Sequence, residues 1–179
     1  MQLPSTLIDY MRSASIALSV SPMTKPDLPL VFVNPRFCAL TGYAPEEVLG
    51  TNCRFLQDEH TEAAVVTEMR QFLADDARDN AQFEISNYRK NGELFRNAVF
   101  MSRLRASDGA TLFVFASQFD LSTATDARAL TRYDSALRTS VSKMRDVARE
   151  HEITLSTSVA TLANAASTIA RSKLYLGDT

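Results

Sequence analysis

Cysteine is scarce, with only Cys38 and Cys53 in a chain of 179 residues. Small disulfide scaffolds are far denser in cysteine, so the pair reads as reduced thiols and points to a reducing, cytoplasmic setting. Histidine is equally sparse. His60 and His151 have no metal-ligand spacing with the cysteines, so both read as surface residues and no metal site is expected. Neither sign of charge dominates: 19 Lys and Arg against 21 Asp and Glu leave a formal net charge of -2. That balance offers no electrostatic footprint for nucleic acid or for an anionic membrane surface. No apolar run approaches the length that crosses a bilayer, and the segment from Met1 to Ser15 carries the acidic Asp9. Glycine and proline are few, 5 and 6, while 45% of residues are hydrophobic, a balance that excludes a disordered tail and promises a real core.

The pattern along the chain predicts an α+β domain. Leu7, Ile8 and Met11 recur at helical spacing behind Pro4, which predicts a short N-terminal helix. Strands are expected over 16–20 and 30–33, separated by a proline-rich loop. Asn34-Pro35 starts a helical turn that Gly42 closes, and Pro45-Glu46-Glu47 opens another. Val65, Val66, Met69, Phe72 and Leu73 form the stripe of an amphipathic helix that needs a sheet beneath it. Three β-branched and aromatic segments, 81–88, 94–104 and 111–121, are joined by Asn91-Gly92 and Asp108-Gly109 and predict an antiparallel meander. The expected fold is a five-stranded antiparallel sheet with short helices on one face.

From Ser122 the composition turns to Ala, Ser, Thr and Arg. Leu130, Tyr133, Leu137, Val141, Met144 and Ala148 step at threes and fours, close to a heptad seam, and predict a long helix. After a break at His151-Glu152, the positions Ile153, Val159, Leu162, Ala166 and Ile169 sketch a second stripe. These narrow, alanine-rich faces are expected to pack on another helix or a partner chain, which favours a homodimer. The chain therefore divides into an N-terminal helical cap (1–15), the α+β domain (16–121) and a helix-turn-helix extension for dimerisation or signalling (122–179).

The most specific segment is Gly50-Thr51-Asn52-Cys53-Arg54-Phe55-Leu56-Gln57. With Val33-Asn34-Pro35 and Leu40-Thr41-Gly42-Tyr43 upstream, and Asn87-Tyr88-Arg89-Lys90-Asn91-Gly92, Phe95, Asn97 and Gln118 downstream, it resembles the LOV (light-oxygen-voltage) photoreceptors, a flavin-binding branch of the PAS family. The order of these motifs is correct over roughly 16–121, which a chance octet would not produce. The resemblance implies a non-covalent flavin mononucleotide (FMN) in the dark and, under blue light, a reversible bond from the Cys53 sulfur to the flavin C4a carbon. It implies that Arg54 pairs with the flavin phosphate, with Arg70 as a second phosphate clamp and Gln57 on the ribityl phosphate tail. Asn87 and Asn97 would hydrogen-bond the polar edge of the ring, with Asn52 lining that edge or the ribityl chain. Gln118, near flavin N5 and O4, would transmit the change towards the terminal helices. Asp58, Arg96 and Ala116 depart from the common family pattern without removing a flavin contact.

Taken singly, these residues have ordinary readings. Cys38, beside Phe37 and Leu40, reads as a small buried hydrophobe. Arg54 and Arg70 alone would be solvated cations, and Gln118 alone an outward-facing strand residue. The leading expectation is a sensory blue-light receptor, not an enzyme, with a light-dependent homodimer or an unknown downstream signalling protein as its readout. The alternatives are a light-independent flavin or redox-sensing PAS interaction module and, more weakly, a small DNA-binding element in the C-terminal helices.

Overall fold

Five segments pair into one antiparallel sheet: β1 (Ala17–Pro22), β2 (Phe32–Val33), β3 (Asn80–Tyr88), β4 (Leu94–Arg105) and β5 (Thr111–Asp120), the last three carrying most of the β-branched and aromatic residues. The computed structural model describes residues 2–122 and 127–155, with the backbone alone for 127–130. The strand order is β2-β1-β5-β4-β3, so the meander of the last three strands is closed on one side by the N-terminal pair. A short sixth strand, β6 (Thr154–Leu155), adds to the expected five by pairing Leu155 with Leu104.

Successive side chains of a strand point to opposite faces, and here the faces differ in chemistry. Leu18, Val20, Phe100, Leu104, Phe113 and Phe115 point outward, where they share a core with Leu7 and Met11 of helix α1 (Ser5–Ser13). Helix α5 (Ala127–Arg149) completes that core with Tyr133, Leu137, Val141, Met144 and Ala148. The heptad-like seam is thus buried within the chain: it packs on another helix, α1, as expected, and also on the chain's own sheet. The sheet presents a wide aromatic face, and each large side chain buried there contributes roughly 1.5–3 kcal/mol. The break at His151-Glu152 is present, with Glu152 at φ 57; Ile153 and Leu155 return to the same core, and Thr154–Leu155 form β6. The positions Val159, Leu162, Ala166 and Ile169 lie outside the described residues.

The inner face is covered by α2 (Pro35–Thr41), α3 (Pro45–Val48) and α4 (Ala63–Ala74). Asn34 begins this layer. Its buried side chain accepts from Leu18 N and Phe37 N and donates to Met11 O and Ile16 O, all at 2.8–3.1 Å. One amide thereby caps α2 and ties α1, β1 and α2 together. Gly42 ends α2 at φ 79 with its N–H on Cys38 O, a left-handed position that favours glycine. Helix α4 is held at its other end by Arg103, fully buried, whose guanidinium donates to Phe72 O at 2.7 Å and Asp75 O at 3.1 Å. A cation on the terminal carbonyls suits the helix dipole, and the clamp fixes α4 above the inner face.

Candidate functional site

Between α4 and the inner face lies a cavity of about 410 Å³, a size that suits a small organic ligand. Helix α4 contributes Val66, Met69, Arg70 and Leu73 at helical spacing, and the sheet contributes Ile85, Val99, Val114 and Ala116. The walls are therefore largely apolar.

A polar stripe crosses this apolar floor. The register pairs Ile85 with Asn97, Val99 with Gln118 and Ala17 with Gln118. The inward residues Asn87, Asn97, Gln118 and Ser19 consequently fall diagonally across β3, β4, β5 and β1. The Asn97 amide donates to Asn87 Oδ1 at 2.9 Å, the Asn87 amide to Ser86 O at 3.1 Å, and the Gln118 amide to Ser19 Oγ at 3.1 Å. Asn97 Oδ1 and Gln118 Oε1 are buried with no hydrogen-bond partner. Unsatisfied buried acceptors cost roughly 1–3 kcal/mol each, and a donor that enters the cavity can meet both.

Cys53 stands on the wall contributed by a 3-10 turn, Cys53–Leu56. Asn52 caps the turn by accepting from Arg54 N at 2.9 Å, and Leu56 is buried beneath it. Backbone bonds between Leu30 and Gly50 and between Leu30 and Thr51, each 2.8 Å, pin the approach to the turn. The Cys53 thiol is half-buried, and desolvation pushes it up to about 12. It is therefore a neutral thiol at physiological pH, unlike cysteines activated as thiolates. At the mouth, Arg54 and Arg70 are exposed cations on the cavity rim, and Gln57, at the end of the turn, lines the cavity half-buried. Arg70 has no hydrogen-bond or ion-pair partner among the described residues, whereas Arg54 pairs with Asp27 at 2.6 Å.

The structure thus brings Asn52, Cys53, Arg54, Gln57, Arg70, Asn87, Asn97 and Gln118 around one cavity. Cys38 is not among its lining residues; it packs half-buried in the cluster of Phe37, Val33 and Val48. Arg96 lies off the cavity, in ion pairs with Glu62 and with Glu84 at 3.0 Å, while Ala116 lines it. Sequence reasoning missed Ser19, Ser21, Asp27 and Leu28. The two serines had a signal, since they alternate with Leu18 and Val20 in β1; Asp27 and Leu28 had none. Among the described residues no group of acidic, cysteine or histidine side chains forms a metal site, and no helix is long and apolar enough to cross a membrane.

Residues 17–123 match the PAS-domain family. A blue-light-activated histidine kinase of Rhizobium johnstonii is 45% identical over 97 residues, which is 54% of this chain and 28% of the kinase. The chain therefore spans just over a quarter of that relative's length. Among solved structures, RsLOV D109G superposes with a TM-score of 0.79 at 31% identity, covering 93% of this chain and 94% of that one. The Rhodobacter sphaeroides LOV protein gives a TM-score of 0.79 at 28% identity, covering 97% and 99%.

Proposed function

We propose, from the premise that this chain belongs to the PAS family and to its LOV branch, that it is a blue-light receptor that binds FMN and switches through Cys53. The observation that carries the reading is the cavity itself: one neutral thiol on its wall, a stripe with two unsatisfied acceptors, and two guanidinium groups at the mouth. That donor set fits a ligand with a flat apolar body, a hydrogen-bonding edge and an anionic tail. When bound, the flavin would supply blue-light absorption, the ring carbon to which the Cys53 sulfur would bond reversibly, and the ring nitrogen that would take up the thiol proton.

The chain's own residues do the rest. Asn87 and Asn97 orient the polar edge of the ring, and each amide offers both a donor and an acceptor. Arg54 and Arg70 hold the phosphate as fork-shaped cations, with Gln57 and Asn52 along the tail. Cys53 brings its own proton, because the thiol stays neutral in this desolvated wall. Gln118 reads the proton change by turning its amide, exchanging donor for acceptor. Its strand neighbours Ser117 and Phe119 face the other way, onto Tyr133 of α5: the Ser117 and Tyr133 hydroxyls lie 3.1 Å apart and the Phe119 and Tyr133 rings stack at 4.2 Å. The switch returns to its starting state and converts no substrate, so the reading is of a receptor and not an enzyme. Its output is a change in helix arrangement, read as homodimer state or affinity for a signalling partner.

The test is the visible absorption of purified protein before and after a blue flash, in wild type and Cys53→Ala. A blue band that bleaches and recovers only when Cys53 is present supports the proposal. Colourless protein, or flavin that bleaches identically in Cys53→Ala, would sink it and favour a light-independent PAS module.

A further inference from the structure

The mouth of the cavity carries a carboxylate that the reading above leaves without a role. Asp27 sits in the proline-rich loop between β1 and β2, and its carboxylate oxygens accept from both Arg54 Nη atoms at 2.6 and 2.9 Å. The Asn52 amide donates to the Asp27 carbonyl. Arg54, through these hydrogen bonds, holds the Asp27 carboxyl below its ordinary range. Asp27 and its neighbour Leu28 both line the cavity and both adopt left-handed backbone, φ 64 and φ 47. For leucine that conformation is costly, so the loop is drawn onto the rim by its contacts and does not rest there by preference.

A guanidinium offers one planar fork to an anion. At Arg54 that fork is engaged by a residue of the chain itself, whereas Arg70, across the same rim, has no partner among the described residues. The two cations are therefore not equivalent towards an incoming phosphate. An anion reaching Arg54 must displace the Asp27 carboxylate or lie beside it against like-charge repulsion.

We propose that Asp27 is a specificity-determining residue of the cavity, a resident carboxylate that competes with a ligand's phosphate for Arg54 and so weakens phosphorylated flavins selectively. The inference rests on the reading that the flavin phosphate lies at Arg54. Because the contest is at the phosphate end, Asp27 leaves the ring-binding stripe untouched. Flavins without a phosphate do not feel it.

The experiment titrates the flavin-stripped 179-residue chain with FMN and with riboflavin, reading the quenching of flavin fluorescence, for wild type, Asp27→Asn, Asp27→Gly and Arg54→Gln. Asparagine and glycine both tolerate left-handed backbone, so the loop keeps its course, and unchanged riboflavin binding reports an intact cavity. Asp27→Asn and Asp27→Gly should tighten FMN about three-fold at low salt, the scale of an exposed ion pair, with the gain shrinking as salt rises. Riboflavin affinity should stay constant. FMN binding that weakens, or FMN and riboflavin shifting together, would make Asp27 a strut of the loop and overturn the proposal. Failure of the underlying reading looks different: Arg54→Gln without effect on FMN removes the phosphate from Arg54, and wild type binding neither flavin removes the flavin site, each taking this proposal with it.

Discussion

On its outer side β5 presents Phe113, Phe115, Ser117 and Phe119, while on its inner side the alternate residues are Val114, Ala116 and Gln118. The outer set meets α1 and α5 and closes into a continuous core. The inner set, with its neighbours on β1, β3 and β4, leaves a cavity floored by amides, two of whose oxygens have no partner. A face optimised for its own stability would not keep such atoms, because an apolar residue there would remove their desolvation cost. The contrast separates a face that holds the fold together from one that leaves a cavity and unpaired acceptors, with a single strand serving both.

The largest expected effect lies on the outer face. Leu137 is 1% exposed at the centre of the α5 contact, so Leu137→Ala should cost about 2–5 kcal/mol in urea unfolding, the range for truncating a packed core leucine. Met69→Ala, half-buried on the cavity wall, should cost well under half as much, since its side chain already borders open volume. Equal losses for the two variants would break the distinction between the faces. A smaller effect of opposite sign is expected at Gln118. Gln118→Leu removes an unsatisfied acceptor and forfeits the bond to Ser19. Flavin-free protein should become more stable by about 1 kcal/mol, the difference between those two costs, while FMN affinity falls. Loss of stability in the flavin-free variant would mean that the stripe is structural and not a binding edge.

How far these two faces were legible in the sequence follows from the range of the forces involved. Strands and turns were legible because period-two alternation and Asn-Gly or Asp-Gly turns are local signals; β3 and β5 fall within a residue or so of the expected bounds. The fold class was legible for the same reason. The gathering of Asn87, Asn97 and Gln118 around Cys53 depends on strand register, which no single segment encodes; it was expected only through resemblance to a family. The destination of the Tyr133-to-Ala148 seam was not legible. An amphipathic stripe states that one face will be buried and is silent about what covers it, and here α1 and the chain's own sheet do together. Asp27 was hidden for a similar reason, since it lies in a loop without periodicity and its partner Arg54 is 27 positions away, beyond β2, α2 and α3.

The smallest predicted effect distinguishes the faces by pH. Burial works against the charge on Glu62, yet hydrogen bonds from the Ser86 N–H and hydroxyl and from Arg96 outweigh it and hold the carboxyl at about 2, down from an ordinary 4.5. These contacts join the start of α4 to β3 and β4, at the edge of the inner layer. A lowered folded-state pKa stabilises the protein fully above the ordinary value, and that contribution is lost as pH falls from there to about 2. Glu62→Gln should therefore narrow its deficit against wild type as the solution is acidified, with thermal midpoints recorded across that window as the measure. Leu137→Ala should lower the same curve without changing its slope, because a leucine carries no proton and burial raises both tyrosines of its cluster, Tyr10 and Tyr133, the latter to about 12. Parallel curves for Glu62→Gln and wild type would show that the carboxylate contributes no proton-linked stability, and that the α4 edge is held by packing alone, as the outer face is.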